Sequence, residues 1–338
     1  MMKAIGYRNN GAIDRDDALI DLELPRPVPQ GRDLLVEVQA VSVNPVDTKV
    51  RKGAAPEAGQ ARVLGFDAVG IVRETGPEAT LFKVGDAVWY AGAIDRPGTN
   101  SEFHLVDERI VGKKPQSLSV ADAAALPLTS ITAWEMLLDR MQAPRGAGTP
   151  ASILVVGAAG GVGSILVQLA RQLTGLTVIG TASRTETRDW VTQMGAHHVI
   201  DHRQPLAAQI KALDIPPVMY VASLTATEQH FEQIVELMAP QGKLALIDDP
   251  AEAIDVRLLK RKSISLHWEL MFTRSLFHTP DMAAQNALLN DVAALVDAGK
   301  IHSTVQLNLG TINAANLKQA HRLLESGSTI GKVVLEGF

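Results

Sequence analysis

The stretch Gly157-Ala158-Ala159-Gly160-Gly161-Val162-Gly163 decides the fold of this chain. It follows an apolar run at 152–156 and opens a segment in which apolar residues recur at helical spacing, with Gly175 expected as the C-terminal cap. A second apolar run, at 177–182, comes next. Strand, glycine turn, helix and strand in this order predict a βαβ unit whose turn binds the phosphates of a dinucleotide.

Glycine suits such a turn because the pyrophosphate of a dinucleotide must approach backbone N–H groups at the N-terminus of the helix. Side chains would obstruct that approach, whereas glycine lacks a Cβ atom and tolerates positive φ. We therefore predict cofactor contacts at Gly157, Gly160, Gly161, Val162 and Gly163. A tight turn without a ligand is the alternative.

The residues after the second strand select between the two nicotinamide cofactors. An acidic residue there binds the ribose 2′-hydroxyl of NAD, whereas this chain has Ser183 and Arg184. A hydroxyl and a guanidinium suit the 2′-phosphate of NADPH, so NADPH is the predicted cofactor, with an ordinary solvated role for Arg184 as the alternative. Glu186 is expected in the first turn of the next helix, where its charge favours the helix dipole.

The composition fits two packed domains and excludes several chemistries. The chain has 338 residues, 46% of them hydrophobic, and a formal net charge of −5. Its basic residues are scattered, which argues against nucleic acid or an acidic membrane as a partner. The absence of cysteine excludes disulfides, thiolate catalysis and cysteine-ligated zinc. Because no apolar run has membrane or signal length, we expect a soluble cytoplasmic protein.

Periodicity divides the chain into a β-rich part and an alternating part. Short apolar runs separated by Gly, Pro and Asp reach to about residue 120, and a helical segment then leads to a linker at 143–150. Alternation of strands and helices beyond the linker predicts an α/β protein with a doubly wound parallel sheet. The later elements are predicted as strands at 199, 218–221, 243–247, 264–268, 305 and 332–335, and helices at 281–298 and 314–324.

Several motifs resemble those of the medium-chain dehydrogenase/reductase superfamily over essentially the whole chain. They are Ser42-Val43-Asn44-Pro45-Val46-Asp47, Gly65-Phe66-Asp67, Gly85-Asp86-Ala87-Val88, the glycine turn, and Gly331-Lys332-Val333-Val334. The chain is most similar to the zinc-free quinone oxidoreductase branch, which includes members labelled zinc-type alcohol dehydrogenase-like. The resemblance implies a GroES-like β-rich catalytic domain (1–122 and 270–338), a Rossmann domain (123–269), and a homodimer that pairs through the Rossmann sheets.

Zinc alcohol dehydrogenases of this superfamily hold their metal with a cysteine, a histidine and a second cysteine. The resemblance places Asn44, Phe66 and Leu128 at these positions, and the four-cysteine structural zinc lobe is missing as well. Phe66 and Leu128 have no ligand atoms, and a neutral amide suits zinc poorly. We therefore expect no zinc.

The expected lack of a metal favours conjugated substrates. Reduction of a simple ketone places the developing charge on one oxygen, which zinc would stabilise, whereas an enone or a quinone spreads that charge, so that hydrogen-bond donors suffice. We predict an NADPH-dependent, metal-free oxidoreductase that acts on an apolar quinone or α,β-unsaturated carbonyl. The alternatives are a zinc-dependent alcohol dehydrogenase with non-cysteine ligands and an NADPH-binding sensor or structural protein without turnover.

Further site residues follow from the same resemblance. It implies that Asn44 lies near the nicotinamide and donates to the acceptor oxygen, and that Asp47 fixes its loop or assists proton delivery. In the alternative, both bond their own backbone as turn formers. The other cofactor contacts expected are Thr132 beside the nicotinamide, His202 near the adenosine phosphate, Ser223 after the fourth Rossmann strand, and Lys332.

An apolar substrate wall is expected from Phe66, Tyr90 and Phe272. The alternative for these three aromatic residues is plain core packing. The alternative for Thr132 is a helical hydroxyl that bonds a backbone carbonyl.

Overall fold

The computed structural model describes residues 1–146, 148 and 150–338. The α/β chain divides into two compact units, Met1–Ile131 with Phe272–Phe338, and Thr132–Met271. The boundaries predicted from the sequence fall at 122 and 269, where the structure divides at 131 and 271. The predicted linker at 143–150 contains Ala147 and Thr149, which lie outside the described residues.

The secondary structure follows the predicted change from β-rich to alternating elements. The strands are β1 (Met2–Tyr7), β2 (Ile20–Leu24), β3 (Asp33–Val43), β4 (Arg62–Val63), β5 (Ala68–Thr75), β6 (Ala87–Tyr90), β7 (Phe103–Asp107), β8 (Val111–Lys113), β9 (Ser152–Val156), β10 (Thr177–Thr181), β11 (His198–Ile200), β12 (Val218–Ser223), β13 (Lys243–Leu246), β14 (Ser265–Trp268), β15 (Val305–Asn308) and β16 (Lys332–Glu336). The α-helices are α1 (Pro45–Gly53), α2 (Val120–Ala124), α3 (Pro127–Trp134), α4 (Gly161–Leu173), α5 (Thr185–Gln193), α6 (Leu206–Ala212), α7 (Thr227–Leu237), α8 (Thr273–Leu276), α9 (Ala284–Asp297) and α10 (Ala314–Glu325).

Shorter helical segments are a π-helix at Glu135–Arg140 and 3₁₀ turns at Glu108–Ile110 and Val256–Lys262. None of the helices in the described part of the chain combines the length and apolar character needed to cross a bilayer.

The unit that contains both chain ends is a GroES-like β domain, called here the GroES-like unit. Its main sheet has the order β15-β16-β3-β5-β6-β8, with β7 also paired to β3, and a small sheet has the order β2-β1-β4. Strand β3 is mostly buried because sheet neighbours and core side chains cover its apolar residues. Antiparallel pairing of Val333 with Val43 brings the start of β16 to the end of β3.

Helix α1 is absent from the sequence prediction, in which turn formation by Asn44 and Asp47 is the alternative to their functional roles. The helix begins directly after Asn44, with Pro45 at its first position, where the missing N–H and fixed φ of proline are favourable. The Asp47 carboxylate accepts a hydrogen bond from the Asn44 backbone N–H at 2.8 Å. The side-chain-to-backbone bonding expected of a turn is therefore present, but it caps the start of a helix.

The other unit is a Rossmann domain, called here the Rossmann unit. Its parallel strands have the order β11-β10-β9-β12-β13-β14, which is the doubly wound 3-2-1-4-5-6 order. The strands predicted here from apolar runs are confirmed to within a few residues at their ends.

The predicted cap of α4 at Gly175 is wrong. The cap residue is Thr174, whose backbone is extended (φ −128°) and whose N–H bonds the carbonyl of Ala170. The Thr174 hydroxyl also donates to that carbonyl at 2.6 Å. Because the chain leaves the helix through this extended residue toward β10, no left-handed glycine is needed.

Candidate active site

The glycine turn connects β9 to α4 at the centre of the Rossmann sheet. Gly157 has φ +81°, a left-handed conformation that favours glycine, and its N–H donates to the Thr181 hydroxyl at 3.0 Å. A Cβ atom on Gly157 would lie 2.9 Å from the Thr225 methyl group. The turn therefore lies between the ends of β10 and β12, where the sheet order reverses and doubly wound sheets bind their ligands.

Two glycines of the turn have different surroundings. A Cβ atom on Gly163 would lie 2.5 Å from the carbonyl oxygen of Gly157 and 2.6 Å from the Cα atom of Ala158, so this glycine allows α4 to pack on the turn. A Cβ atom on Gly160 would meet nothing closer than that carbonyl at 3.5 Å. Among the described residues, no side chain caps α4 at Gly160. The first N–H groups of the helix are therefore available to an anion.

The end of β10 carries the residues predicted to select NADPH. Ser183 is partly buried and Arg184 is exposed, immediately before α5, and Glu186 lies in the first turn of α5 as predicted. The Ser183 carbonyl accepts a hydrogen bond of 2.8 Å from Arg203, whose guanidinium also pairs with Asp201 at 2.7 Å.

Sequence analysis did not identify Arg203. It follows β11, which pairs in parallel with β10, and the carboxyl ends of parallel neighbours meet at one sheet edge. The predicted pairing of these two strands could therefore have indicated that Arg203 lies near Ser183. His202, the predicted neighbour of the adenosine phosphate, precedes Arg203, and its ring centroid lies 6.4 Å from that of His230.

Ser223 ends β12 and begins a chain of hydroxyl groups. Its Oγ lies 2.7 Å from Thr227 Oγ1, and Thr227 Oγ1 lies 2.6 Å from Asp248 Oδ1. Because an ionised carboxylate only accepts, Thr227 donates to Asp248 and Ser223 donates to Thr227. The remaining capacity of the Ser223 oxygen is to accept a hydrogen bond. Thr132, predicted to lie beside the nicotinamide, is buried in α3.

The GroES-like unit contains a buried polar cluster, defined here as Ser42, Asn44, Asp47, Asp67 and Lys332, each no more than 3% exposed. Asp67 is its centre. One carboxylate oxygen accepts from Ser42 Oγ at 2.6 Å, Asn44 Nδ2 at 2.7 Å and Lys332 Nζ at 3.3 Å, and the other accepts from the Leu128 backbone N–H at 2.7 Å. Burial raises the pKa of Asp67, and the Lys332 charge and these donors oppose the shift. Four converging donors favour the carboxylate form.

Lys332 is the cation of the polar cluster. Its Nζ donates to the Val43 carbonyl at 2.9 Å, to Asn44 Oδ1 at 2.5 Å and to Asp67 at 3.3 Å. Burial lowers the pKa of Lys332, and the charges of Asp67 and Asp47 oppose that shift. Because three acceptors surround the nitrogen and a neutral amine has two hydrogens, the geometry favours the ammonium form.

Asp47 is fully engaged with backbone N–H groups. Its two carboxylate oxygens accept from Asn44 at 2.8 Å and from Gly65 at 3.0 Å. Burial raises the pKa of Asp47 to about 7, against the opposing effects of these donors and of the Lys332 charge. Asp47 thereby holds the start of α1 to the loop before β5.

The aromatic residues predicted as a substrate wall are all buried in the GroES-like unit. Phe66 and Phe272 are edge to face, with ring centroids 5.2 Å apart. The Tyr90 hydroxyl lies 3.1 Å from Nδ1 of His104, whose Nε2 lies 2.9 Å from the Pro97 carbonyl. Since a carbonyl only accepts, His104 carries its proton on Nε2 and accepts from Tyr90 through Nδ1.

The residues at the positions of the zinc ligands do not fit zinc. Phe66 packs on Phe272, Leu128 contributes a backbone N–H, and the Asn44 oxygen binds an ammonium group. Structural and catalytic zinc sites use cysteine, histidine and carboxylate ligands. Within the described ranges, no group of three or more His, Cys, Asp or Glu side chains has the placement of a metal site.

A Rossmann unit with an open glycine turn and a GroES-like unit with a buried polar cluster define a two-domain oxidoreductase. Residues 30–116 match the model of the alcohol dehydrogenase GroES-like domain, and residues 194–335 match that of a zinc-binding dehydrogenase. The chain belongs to the medium-chain dehydrogenase/reductase superfamily, which confirms the resemblance found in the sequence.

Similar proteins cover the full length of the chain or a large part of it. A zinc-type alcohol dehydrogenase-like protein of Staphylococcus aureus is 40% identical over 336 residues, with 99% of each chain covered. A solved structure from Rhizobium etli, provisionally described as a zinc-dependent alcohol dehydrogenase, is 58% identical with a TM-score of 0.97, and covers 100% of this chain and 98% of that one. A 2-methylene-furan-3-one reductase of Solanum lycopersicum is 36% identical over 211 residues, 60% of this chain and 52% of that protein.

Proposed function

We propose that this oxidoreductase transfers a hydride from NADPH to quinones or α,β-unsaturated carbonyls without a bound metal. The observation that carries the proposal is the glycine turn, with the uncapped N-terminus of α4 at Gly160. These N–H groups would bind the pyrophosphate, and Ser183 and Arg184 would bind the 2′-phosphate. When bound, the nicotinamide supplies the hydride from its C4 atom.

The polar cluster supports the choice of a conjugated acceptor. Asn44 Nδ2 donates one hydrogen to Asp67, and among the described residues no acceptor takes the other. This N–H would bind the acceptor oxygen. A neutral amide donor is adequate when conjugation spreads the developing charge, and the residues at the positions of the zinc ligands, Asn44, Phe66 and Leu128, do not fit zinc.

The tomato relative adds support from a second direction, because its name describes reduction of a carbonyl conjugated with a methylene group. Substrates of this protein would likewise need a carbonyl conjugated with a carbon–carbon double bond. The apolar rings of Phe66 and Phe272 would suit such a compound.

A homodimer is part of the proposal. Strand β14 is at one end of the described Rossmann sheet order, and the side chains of Trp268 and Leu270 are exposed by 54% and 50%. An exposed sheet edge beside large apolar side chains is a pairing surface. Light scattering of the wild-type protein and of Trp268→Glu tests this, with a monomeric wild type as the contrary result.

The function is tested with purified, chelator-treated protein of measured metal content. NADPH consumption is followed with quinones, enones and simple ketones, and alcohol oxidation is followed with NADP⁺ in the presence and absence of zinc. We expect turnover of conjugated acceptors that chelation does not change. Binding of NADPH without turnover of any acceptor would favour a sensor or structural protein, and zinc-dependent alcohol oxidation would favour the zinc dehydrogenase.

A further inference from the structure

The ammonium group of Lys332 is completely used inside the polar cluster. Its three hydrogens match three acceptors, the Val43 carbonyl, Asn44 Oδ1 and Asp67 Oδ2, at 2.9, 2.5 and 3.3 Å. The residue is 3% exposed. The sequence predicts Lys332 as a cofactor contact, and this arrangement leaves no hydrogen of Lys332 for a bond to the cofactor.

The orientation of the Asn44 amide depends on its two charged neighbours. Oδ1 faces the Lys332 ammonium and Nδ2 faces the Asp67 carboxylate. The opposite orientation would set Nδ2 against a cation and Oδ1 against an anion, so both contacts would become repulsive. The two charges therefore act together, and each also compensates the other in a buried site.

The ammonium also changes how strongly Asn44 donates. A cation at the carbonyl oxygen of an amide draws electron density from the nitrogen, which makes the N–H groups better donors. In a buried site this polarisation is weakly screened. One N–H of Asn44 is used by Asp67, and the other is the donor assigned above to the acceptor oxygen.

We propose that Lys332 is a positioning residue that acts on the acceptor through Asn44, by polarising its amide and by holding Asp67 as the anion that fixes the amide orientation. The proposal rests on the proposed function for the identity of the acceptor. It differs from a cofactor-binding role because it places the effect on turnover and not on the affinity for NADPH.

A double-mutant cycle tests this pathway. The variants are Lys332→Met, Asn44→Ala and the pair, each measured for NADPH affinity by fluorescence and for kcat with a saturating enone. We expect each single variant to lower kcat about tenfold or more, NADPH affinity to stay within about threefold, and the pair to show no further loss of kcat, since residues that act as a unit are non-additive. The proposal would be overturned if the kcat losses of the single variants multiplied in the double variant. It would also be overturned if Lys332→Met lost NADPH affinity tenfold and kept a normal kcat.

A second variant keeps the proposal testable if Lys332→Met does not fold. Lys332→Ala leaves room for a small alkylammonium ion, and propylammonium is the probe. We expect propylammonium to raise both the thermal unfolding temperature and kcat of Lys332→Ala, and to leave the wild type unchanged. Rescue of the unfolding temperature with no gain in kcat would reduce Lys332 to a structural role and overturn the proposal.

Failure of the proposed function is distinguishable from failure of this inference. If the wild type binds NADPH and reduces none of the acceptors, the proposed function is wrong. Thermal unfolding without cofactor then decides the inference. Propylammonium should stabilise Lys332→Ala and should stabilise Lys332→Ala/Asn44→Ala much less, whereas equal stabilisation would show that the ammonium does not act on Asn44.

Discussion

The glycine turn and the polar cluster represent two ways of building a functional region. The turn depends on glycines, which have no side chain, since a Cβ atom at Gly163 would lie 2.5 and 2.6 Å from backbone atoms. The polar cluster depends on side chains that are present and bonded to one another, with Asp67 accepting from four donors. The turn is local in sequence, and the cluster joins residues from 42 to 332. Substitutions should therefore harm the turn by adding atoms and the cluster by removing charge.

The largest effect is expected where the cluster loses its anion. Asp67→Asn leaves the buried ammonium of Lys332 without its counter-charge, and removing one partner of a buried pair costs about 3–5 kcal/mol. The free energy of unfolding, measured in urea, should fall by that amount. Asp14→Asn is the control, because the Asp14 side chain is 89% exposed in its ion pair, and similar values for the two variants would show that the cluster is not strongly coupled.

The next effect concerns Asp47 and pH. Burial raises the pKa of Asp47 to about 7 from an ordinary value of 3.8, so between these pH values the folded state retains a proton that the unfolded state has lost. The contribution of Asp47 to stability is complete below about pH 4 and is lost as pH rises through about 7, by roughly 4 kcal/mol.

Urea unfolding of the wild type and of Asp47→Asn across this pH range measures the difference. The stability of the wild type should fall relative to the variant between about pH 4 and 7 and then run parallel to it. Parallel curves over the whole range would contradict the raised pKa.

A matched pair of alanine variants separates packing from cofactor binding within the turn. Gly163→Ala should lower the free energy of unfolding by about 1–3 kcal/mol, because the added methyl group overlaps backbone atoms. Gly160→Ala should change stability by less than about 0.5 kcal/mol and still weaken NADPH binding about tenfold, because its methyl group enters the space before α4. Equal NADPH affinity in the wild type and Gly160→Ala would exclude this space as the pyrophosphate site.

The smallest effect concerns cofactor choice. Arg184→Ala should lower the preference for NADPH over NADH about tenfold, and Arg203→Ala should lower it less because its charge is shared with Asp201. Affinities for both cofactors measure this, and Arg257→Ala, with a side chain 87% exposed, is the control. An unchanged preference in Arg184→Ala would show that this arginine does not bind the 2′-phosphate.

The sequence predicts the Rossmann unit well because its signals are local. Apolar runs, glycine spacing and the residue after β10 all lie within short windows, and the parallel order of the sheet follows from their alternation. The cap predicted at Gly175 is wrong because Thr174, in an extended conformation, is the C-terminal cap residue of α4. Helix α1 was missed because Asn44 and Pro45 suit a turn as well as a helix start.

The polar cluster was only partly predictable. Motif resemblance predicts site roles for Asn44, Asp47 and Lys332. It does not predict the contacts between them, because the pairing of β3 with β16 is a property of the folded sheet. Asp67 belongs to the motif Gly65-Phe66-Asp67, but the motif does not indicate that this residue is the centre of the polar cluster. A lone acidic residue before the apolar strand β5 was the available signal, since such a residue needs partners when buried.

The pairing of β3 with β16 has a consequence for how the chain is made. Lys332 is 289 positions from the Val43 carbonyl that it contacts, and contacts of such separation form late because the intervening chain must first be closed. During synthesis the Rossmann unit, which is continuous, has all of its residues before β16 is available. Until then Asp67 lacks its counter-ion, so a ribosome paused before β16 would hold a nascent chain whose GroES-like unit is incomplete.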